Sequence, residues 1–158
     1  MFDNGLSVSQ KPHFDVAVAL PIVLPNVWKL ACRITRDPGL AEQVVAQACA
    51  KTLTREASSL QLEEAFISVA SNIVDLWQTL KPSGELPRRE YHTFANGFDL
   101  LSRIDHLPDI ERICIFLVDA HGLSVDKAAQ VLKIPTGEVV LLLLITKTRL
   151  AWHFVEAD

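Results

Sequence analysis

Residues 101 to 152 read LSRIDHLPDIERICIFLVDAHGLSVDKAAQVLKIPTGEVVLLLLITKTRLAW, and this stretch decides the fold. It contains three helix-like segments, with Gly122 in the first gap and Pro135 in the second. Ser124 is placed to cap the middle segment. The order helix, turn, short helix, helix is the layout of a helix-turn-helix. We expect the three helices at about 107–120, 124–133 and 136–154.

The last of these helices has two apolar faces. At about 100 degrees per residue, one side would pack into the core of the helix-turn-helix, and a second apolar side would point away from it. A second apolar face of a few hundred Å² usually marks a protein contact. The alternative is that this face packs on the first half of the chain and enlarges the core. The expected core stripe is Val139, Leu143, Thr146 and Leu150, and the expected protein interface is Leu141, Leu144, Ile145 and Trp152, with Thr148 on the same side.

The same half of the chain lacks the positive charge that DNA binding requires. Residues 101 to 158 contain six Lys or Arg and eight Asp or Glu, so that 6 − 8 = −2, and the whole chain carries −4. Glu138 lies in the first turn of the last helix, where free amides would otherwise attract phosphate. Lys147 and Arg149 are the candidates for residual DNA contact. We therefore expect weak, sequence-independent DNA binding at most.

The first half of the chain is also helical by its periodicity. An amphipathic helix is expected over residues 25 to 36, and Asp37-Pro38 then caps and starts a second helix that ends near Glu56. A third helix is expected over residues 62 to 80. The first helix is expected to bury Val27, Leu30, Ala31 and Ile34. The second is expected to bury Leu40, Val44, Val45, Ala48 and Leu53.

Prolines, glycines and charge indicate the domain boundaries. Residues 81 to 97 contain two prolines, two glycines and the charged RRE at 88–90, which is typical of a linker. The fold class predicted is all-α, with helical domains at 14–80 and 98–158 and a disordered N-terminus at 1–13. The apolar stretch 16–28 is shorter than the roughly 20 residues of a membrane span, and Pro21 and Pro25 are expected to break it. With no signal sequence either, a cytoplasmic location is expected.

No pattern of catalytic or metal-binding residues stands out. Cys32, Cys49 and Cys114 are far apart in apolar contexts, as buried thiols are, and the five histidines form none of the close pairs that zinc sites use. Acidic residues near the helix starts are better explained as partners of the helix dipole than as catalytic carboxylates. We therefore expect no enzyme, no metal and no cofactor.

Two segments resemble a known family. Residues 107–139, with the pattern LP...R....LVDAHGLSVDKAAQVLKIPTGEV, resemble the DNA-binding region 4 of extracytoplasmic-function (ECF) sigma factors. Residues 24–53, LPNVWKLACRITRDPGLAEQVVAQACAKTL, resemble their region 2. The resemblance implies two helical domains, one like sigma region 2 and one like the region 4 helix-turn-helix.

The chain departs from the family pattern where the family binds its targets. The segment that docks on RNA polymerase core matches residues 40–47, where Glu42, Gln43 and Gln47 are the candidate residual polymerase contacts. The arginines that engage the promoter −10 element in the family are missing from residues 71–85, SNIVDLWQTLKPSGE. The Lys, Ser and Arg series of region 4 is replaced by residues 137–142, GEVVLL.

These departures favour a sigma-like regulatory protein that works by protein contact. It would resemble the sigma-mimic domains of general stress response regulators, and its partner would be an anti-sigma-like protein or a second copy of itself. One alternative is a working, divergent ECF sigma factor that binds RNA polymerase core and directs it to promoters. The other is a self-associating structural or orphan protein that has kept the fold and lost the function.

Overall fold

A computed structural model describes residues 12–55, 59–80 and 100–155. These residues form helices and no β-strand, and one isolated bridge joins Phe14 to Leu60. The expected all-α class is confirmed. The helices are α1 Val16–Thr35, α2 Pro38–Arg55, α3 Leu62–Leu80, α4 Leu100–Asp105, α5 Asp109–Ile115, α6 Val125–Leu132 and α7 Thr136–Val155, with a π-helical turn, Phe116–Ala120, after α5.

The first helix is longer than the sequence indicates. It begins at Val16, where the Asp15 carboxylate accepts the N–H of Ala17 at 2.8 Å. Pro21 and Pro25 lie inside it, and both are exposed. The prediction that these prolines break the stretch is therefore wrong. A proline inside a helix costs one hydrogen bond, but both rings face solvent, and the opposite side of α1 is buried in the core along its length.

Only α1 is, as a single described helix, long and apolar enough to cross a membrane, and α6 with α7 would qualify together as a pair bent by 103°. These are weak indications, because core helices pass the same test. In α1, 39% of the 18-residue apolar stretch is buried inside the protein, because the helix packs on α2 and α3.

The helices α1, α2 and α3 pack on one another, and α2 begins as predicted. The Asp37 carboxylate accepts the N–H of Leu40 at 3.0 Å. One predicted core position of α2 is wrong, since Leu53 is exposed and Thr52 is fully buried. The Thr52 hydroxyl donates to a backbone carbonyl one turn earlier and accepts from the Asn72 side chain of α3, both at 3.0 Å. Mutual hydrogen bonding makes this polar pair tolerable in the core.

The helices α5, α6 and α7 form the expected helix-turn-helix. Gly122 takes φ 69° in the turn, and the Ser124 hydroxyl accepts the N–H of Lys127 at 3.3 Å as the N-cap of α6. The helix α4 and the π-helical turn are additions that the sequence pattern does not indicate. In the π-helical turn the N–H of His121 donates to the carbonyl of Phe116 at 2.9 Å, so that one extra residue is accommodated before the glycine.

The two halves of the chain contact each other directly, α3 on α6 and α1 on α5. Arg112 of α5 is fully buried, and its guanidinium donates to the Ile34 carbonyl near the end of α1 at 3.1 Å and to the Asp109 carboxylate at 2.8 Å. Two ion pairs join α6 and its C-cap to α3, each with an N–O distance of 2.5 Å: Lys127 to Glu63 and Lys133 to Asp75.

The expected linker, 81–97, and residues 1–11 of the expected disordered N-terminus lie outside the described residues.

Candidate protein-interaction surface on α7

The inner side of α7 is part of the core. Val139 and Thr146 are fully buried, Leu150 is buried and Leu143 is half-buried, against α5 and α6. The Cys114 thiol of α5 lies 3.9 Å from the carbonyl oxygen of Val139. This inner face is the one that the helical periodicity predicts.

The outer side of α7 is apolar and exposed. The side chains of Val140, Leu141 and Leu144 are 53%, 55% and 63% exposed, and Ile145 is half-buried. The leucines therefore do not enlarge the core by packing on the N-terminal half. The structure describes the backbone of Trp152 but not its side chain, so the place of Trp152 on this face stays a prediction.

Val140 also lies on this outer side, although it is not among the residues predicted for it. This residue lies only about 40 degrees around the helix from Leu144, which is a signal that could have placed it on the outer face. With Val140 included, we define the outer face as Val140, Leu141, Leu144 and Ile145.

Small exposed residues lie at both ends of this face. Gly137 precedes it and Thr148 follows it, and a Cβ at Gly137 would meet nothing within 4 Å. Gly137, Leu141, Leu144 and Thr148 follow one another at intervals of four, three and four residues, so they share one stripe of the helix. The stripe carries no charge, and large side chains occupy its middle while small ones occupy its ends.

The two candidate DNA-contacting cations are bound within their own half of the protein. The Lys147 ammonium lies 3.1 Å from the Asp119 carboxylate, and the Arg149 guanidinium lies 2.8 Å from that of Glu111. Glu111 is itself buried and also accepts the Thr146 hydroxyl at 3.3 Å. A phosphate would have to compete with these carboxylates for each cation. Glu138, exposed at the start of α7, adds a negative charge beside the outer face.

The candidate polymerase contacts lie on the other half. Glu42, Gln43 and Gln47 are exposed on α2. Of the three, Glu42 lines an open apolar groove between α1 and α2. The sequence does not indicate this groove, because Pro21 and Pro25 predict a break in the helix that forms one of its walls. The groove has a volume of about 630 Å³ and is lined by Pro21, Leu24, Pro25, Trp28, Glu42, Val45, Ala46 and Cys49.

The three thiols are expected to have low reactivity. Burial raises the pKa of Cys32, of Cys49 and of Cys114. For Cys114, burial and then the Asp119 carboxylate raise the pKa to about 11, against a smaller lowering by Lys147. A protonated thiol is a poor nucleophile and a poor metal ligand. Within the described ranges, no three His, Cys, Asp or Glu side chains are placed to hold a metal ion.

The arrangement of helices matches solved structures. The sigma factor RpoE of Bartonella quintana, solved in complex with the anti-sigma factor NepR, matches with a TM-score of 0.63 over 91% of this chain and 98% of its own, at 18% identity. The chain has the sigma-factor fold. The anti-anti-sigma factor PhyR of the same organism, also complexed with NepR, matches with a TM-score of 0.61 at 12% identity.

These likenesses confirm the expected resemblance at the level of the fold. The match to PhyR covers 88% of this chain but only 51% of the PhyR chain, so this protein corresponds to about half of that regulator. No protein-family model matches the chain, and no curated protein sequence matches it. At such low identity the matches show the fold alone, and function depends on the side chains that make the contacts.

Proposed function

We propose that this chain is a sigma-like transcription regulatory protein of the cytoplasm that acts through protein contacts, with the outer face of α7 as its binding surface. The observation that carries the proposal is the exposure of Val140, Leu141 and Leu144 on the helix that reads DNA in a helix-turn-helix. Lys147 and Arg149, which are the Lys and Arg residues of that helix, are held in ion pairs.

The energetics favour a protein over DNA at this face. Complete burial of one large apolar side chain contributes roughly 1.5 to 3 kcal/mol. The outer face is already partly covered, so a partner would gain about half of that for each of its residues. The sum of several kcal/mol is enough to support association against its entropic cost when other contacts add to it. DNA offers mainly phosphates and polar base edges to such a face, and Glu138 would repel the phosphates.

An anti-sigma-like protein is the partner class that the fold supports best. Both solved neighbours are complexes with an anti-sigma factor. An uncharged apolar stripe along a helix fits the apolar side of an amphipathic helix from such a partner. In this function the chain would sequester the anti-sigma protein and leave promoter recognition to a true sigma factor.

The test uses Leu144→Glu, with Leu53→Glu as its matched control. Both replace a leucine that is exposed on a helix, but Leu53 lies on α2. We expect wild type and Leu53→Glu to capture a small anti-sigma-like protein from the native host, identified by mass spectrometry, and Leu144→Glu to lose it. Thermal melting of all three should be alike. Capture of core polymerase subunits instead, or unfolding of Leu144→Glu, would contradict the proposal.

Self-association through the same face is a second candidate. The stripe from Gly137 to Thr148 has the same spacing when read in either direction, and it carries small residues at both ends and leucines in the middle. A two-fold axis between Leu141 and Leu144 would therefore pair large side chains with large and small with small in two antiparallel helices. Sedimentation of purified protein separates the candidates. A dimer that Leu144→Glu abolishes and Leu53→Glu preserves supports self-association, and a monomer at all concentrations rejects it.

A working, divergent ECF sigma factor is the remaining alternative. Binding of promoter-bearing and scrambled duplexes at near-physiological salt decides it. We expect weak binding with no preference between the two, because the cations of α7 are occupied. A promoter-specific dissociation constant tighter than about 10⁻⁸ M, the usual range for specific DNA-binding proteins, would reject the proposed function in favour of this alternative.

A further inference from the structure

A basic crevice lies between the two halves of the protein, beside the C-terminal end of α1. It has a volume of about 370 Å³, which is within the range of small-molecule pockets. None of its lining residues belongs to α7, so it is separate from the outer face of that helix. The lining residues are Trp28, Lys29, Cys32, Arg33, Arg36 and Pro38 from the N-terminal half and Asp105 from α4.

The charge of this crevice is opposite to that of the protein. Lys29, Arg33 and Arg36 follow one another at intervals of four and three residues, so they lie on one side of α1 and its C-cap. The helix itself contains no Asp or Glu. Three cations therefore face the single carboxylate of Asp105, in a chain whose net charge is −4. A crevice with a surplus of one sign of charge concentrates ions of the opposite sign.

The hydrogen-bonding capacity of these cations is only partly used. The guanidinium of Arg36 donates through Nη2 to the carbonyl of Asp105, and its buried Nε has no partner. The guanidinium of Arg33 lies over the ring of Phe116, 5.6 Å from the centroid. A cation–π contact of this kind does not neutralise the guanidinium, so its charge stays available to an anion. Within the described part of the chain, neither Lys29 nor Arg33 forms an ion pair.

An aromatic side chain lies beside these cations, one residue before Lys29 and about 100 degrees around the helix from it. The indole of Trp28 is 38% exposed and lines the crevice. At a rise of 1.5 Å per residue, Trp28 and Arg36 lie about 12 Å apart along the helix. This is about the length of a nucleoside diphosphate. An exposed indole face is a stacking surface for any nucleic acid base.

We infer that this crevice binds a nucleotide of the nucleoside diphosphate class, with its phosphates on Lys29, Arg33 and Arg36 and its base against Trp28. Because the walls come from both halves, a bound nucleotide stabilises their packed arrangement and raises the melting temperature of the protein with ligand concentration. The inference does not depend on which protein α7 contacts.

The test is isothermal titration of the full chain with ADP, GDP and pyrophosphate. We expect at least one of the two nucleotides to bind with a dissociation constant below about 1 mM, the affinity range of a weak specific site. Lys29→Gln and Arg33→Gln should each weaken that binding about tenfold, since each removes a charge-assisted contact to phosphate. Trp28→Leu should weaken nucleotide binding and leave pyrophosphate binding unchanged.

Lys51→Gln and Arg55→Gln on α2 are the matched controls, because they make the same charge change away from the crevice. Circular dichroism confirms folding, and Lys29→Gln keeps the test valid if Arg33→Gln disturbs the contact with Phe116. No nucleotide binding at millimolar concentration overturns the inference. So does equal weakening by the α2 controls, which would mean general electrostatic attraction. Binding of an acidic peptide such as oligoglutamate without nucleotide binding also overturns it, in favour of a protein ligand.

Discussion

The helices α3 and α7 are nearly equal in length, 19 and 20 residues, and both are rich in apolar residues, yet they differ in what they bury. In α3, Val69, Ile73 and Trp77 are fully or almost fully buried, because α1, α2 and α6 surround it. In α7, Leu141 and Leu144 are exposed, because α4, α5 and α6 cover one side only. Apolar content therefore does not determine burial. The placement of the neighbouring helices does, because each helix has three of them but those of α7 leave one side uncovered, where we propose that a partner binds.

Truncation of one large side chain in each helix tests this difference most strongly. Trp77→Ala should lower the free energy of unfolding by about 3 to 5 kcal/mol, because it leaves a cavity in the core. Leu144→Ala should change it by less than about 0.5 kcal/mol, as surface substitutions do. Urea titration followed by circular dichroism measures both. Similar losses for the two variants would mean that the outer face of α7 is core after all.

Cys114 reports on the buried side of α7, where its thiol lies near the Val139 carbonyl. With a pKa of about 11 instead of 9.0, its thiolate fraction at pH 8 is about a hundredfold lower than in the unfolded chain. We expect iodoacetamide to modify Cys114 at least that much more slowly in the native protein than in guanidinium chloride, by peptide mass spectrometry. Cys32, which is half-buried, should react well before it. Rapid labelling of Cys114 would show that α7 does not hold its inner face closed.

The contact of α2 with α3 depends on the Thr52 hydroxyl. Thr52→Val keeps the shape of the side chain but leaves the Asn72 amide buried without this partner, which should cost about 1 to 3 kcal/mol of unfolding free energy. Leu53→Thr, one residue later and exposed, should be almost neutral. Paired urea titrations compare the two. If the ranking is reversed, Leu53 is the core residue, as the periodicity suggested.

The smallest expected effect is a pH dependence of the free energy of unfolding, caused by His121 at the contact of α3 with the C-terminal half. The His121 ring lies 5.2 Å from the Phe66 ring, and burial, followed by the charge of Lys29, lowers the pKa of His121 below 6.5. The unfolded chain therefore binds a proton at this site before the folded one does. The stability from neutral His121 is fully present above pH 6.5 and is lost as the pH falls through its lowered pKa.

Unfolding curves between pH 8 and pH 5 check this dependence. The loss of stability on acidification should be smaller in His121→Gln than in wild type, because glutamine does not titrate. Equal slopes in the two proteins would assign the pH dependence to other groups.

The sequence predicts those features that depend on neighbouring residues. The bounds of α3, 62–80, are correct because its breakers lie beside it. The caps at Asp37 and Ser124 are correct because capping requires only the next three residues. The inner and outer faces of α7 follow from its periodicity, although Val140 was missed.

The features that the sequence does not predict depend on residues far away in the chain. Pro21 and Pro25 are tolerated because α2 and α3 cover the other side of α1. Arg112 bonds to Ile34, 78 residues earlier, and no local pattern links the two. The ion pairs that occupy Lys147 and Arg149 bridge 28 and 38 residues in the same way. The net charge of the sequence predicts weak DNA binding. The ion-pair partners of these cations, and the basic crevice, are visible only in the folded chain.

The outer face of α7 also has an evolutionary consequence. Its most exposed residues, Val140, Leu141 and Leu144, contribute little to the core, so selection for folding leaves these positions nearly free to change. A lineage can therefore exchange a surface that contacts protein for one that contacts DNA, or the reverse, by a few substitutions at exposed sites while Val139, Thr146 and Leu150 keep the backbone in place. The inner side of the helix is constrained by the fold, whereas its outer side can change its binding chemistry on the same scaffold.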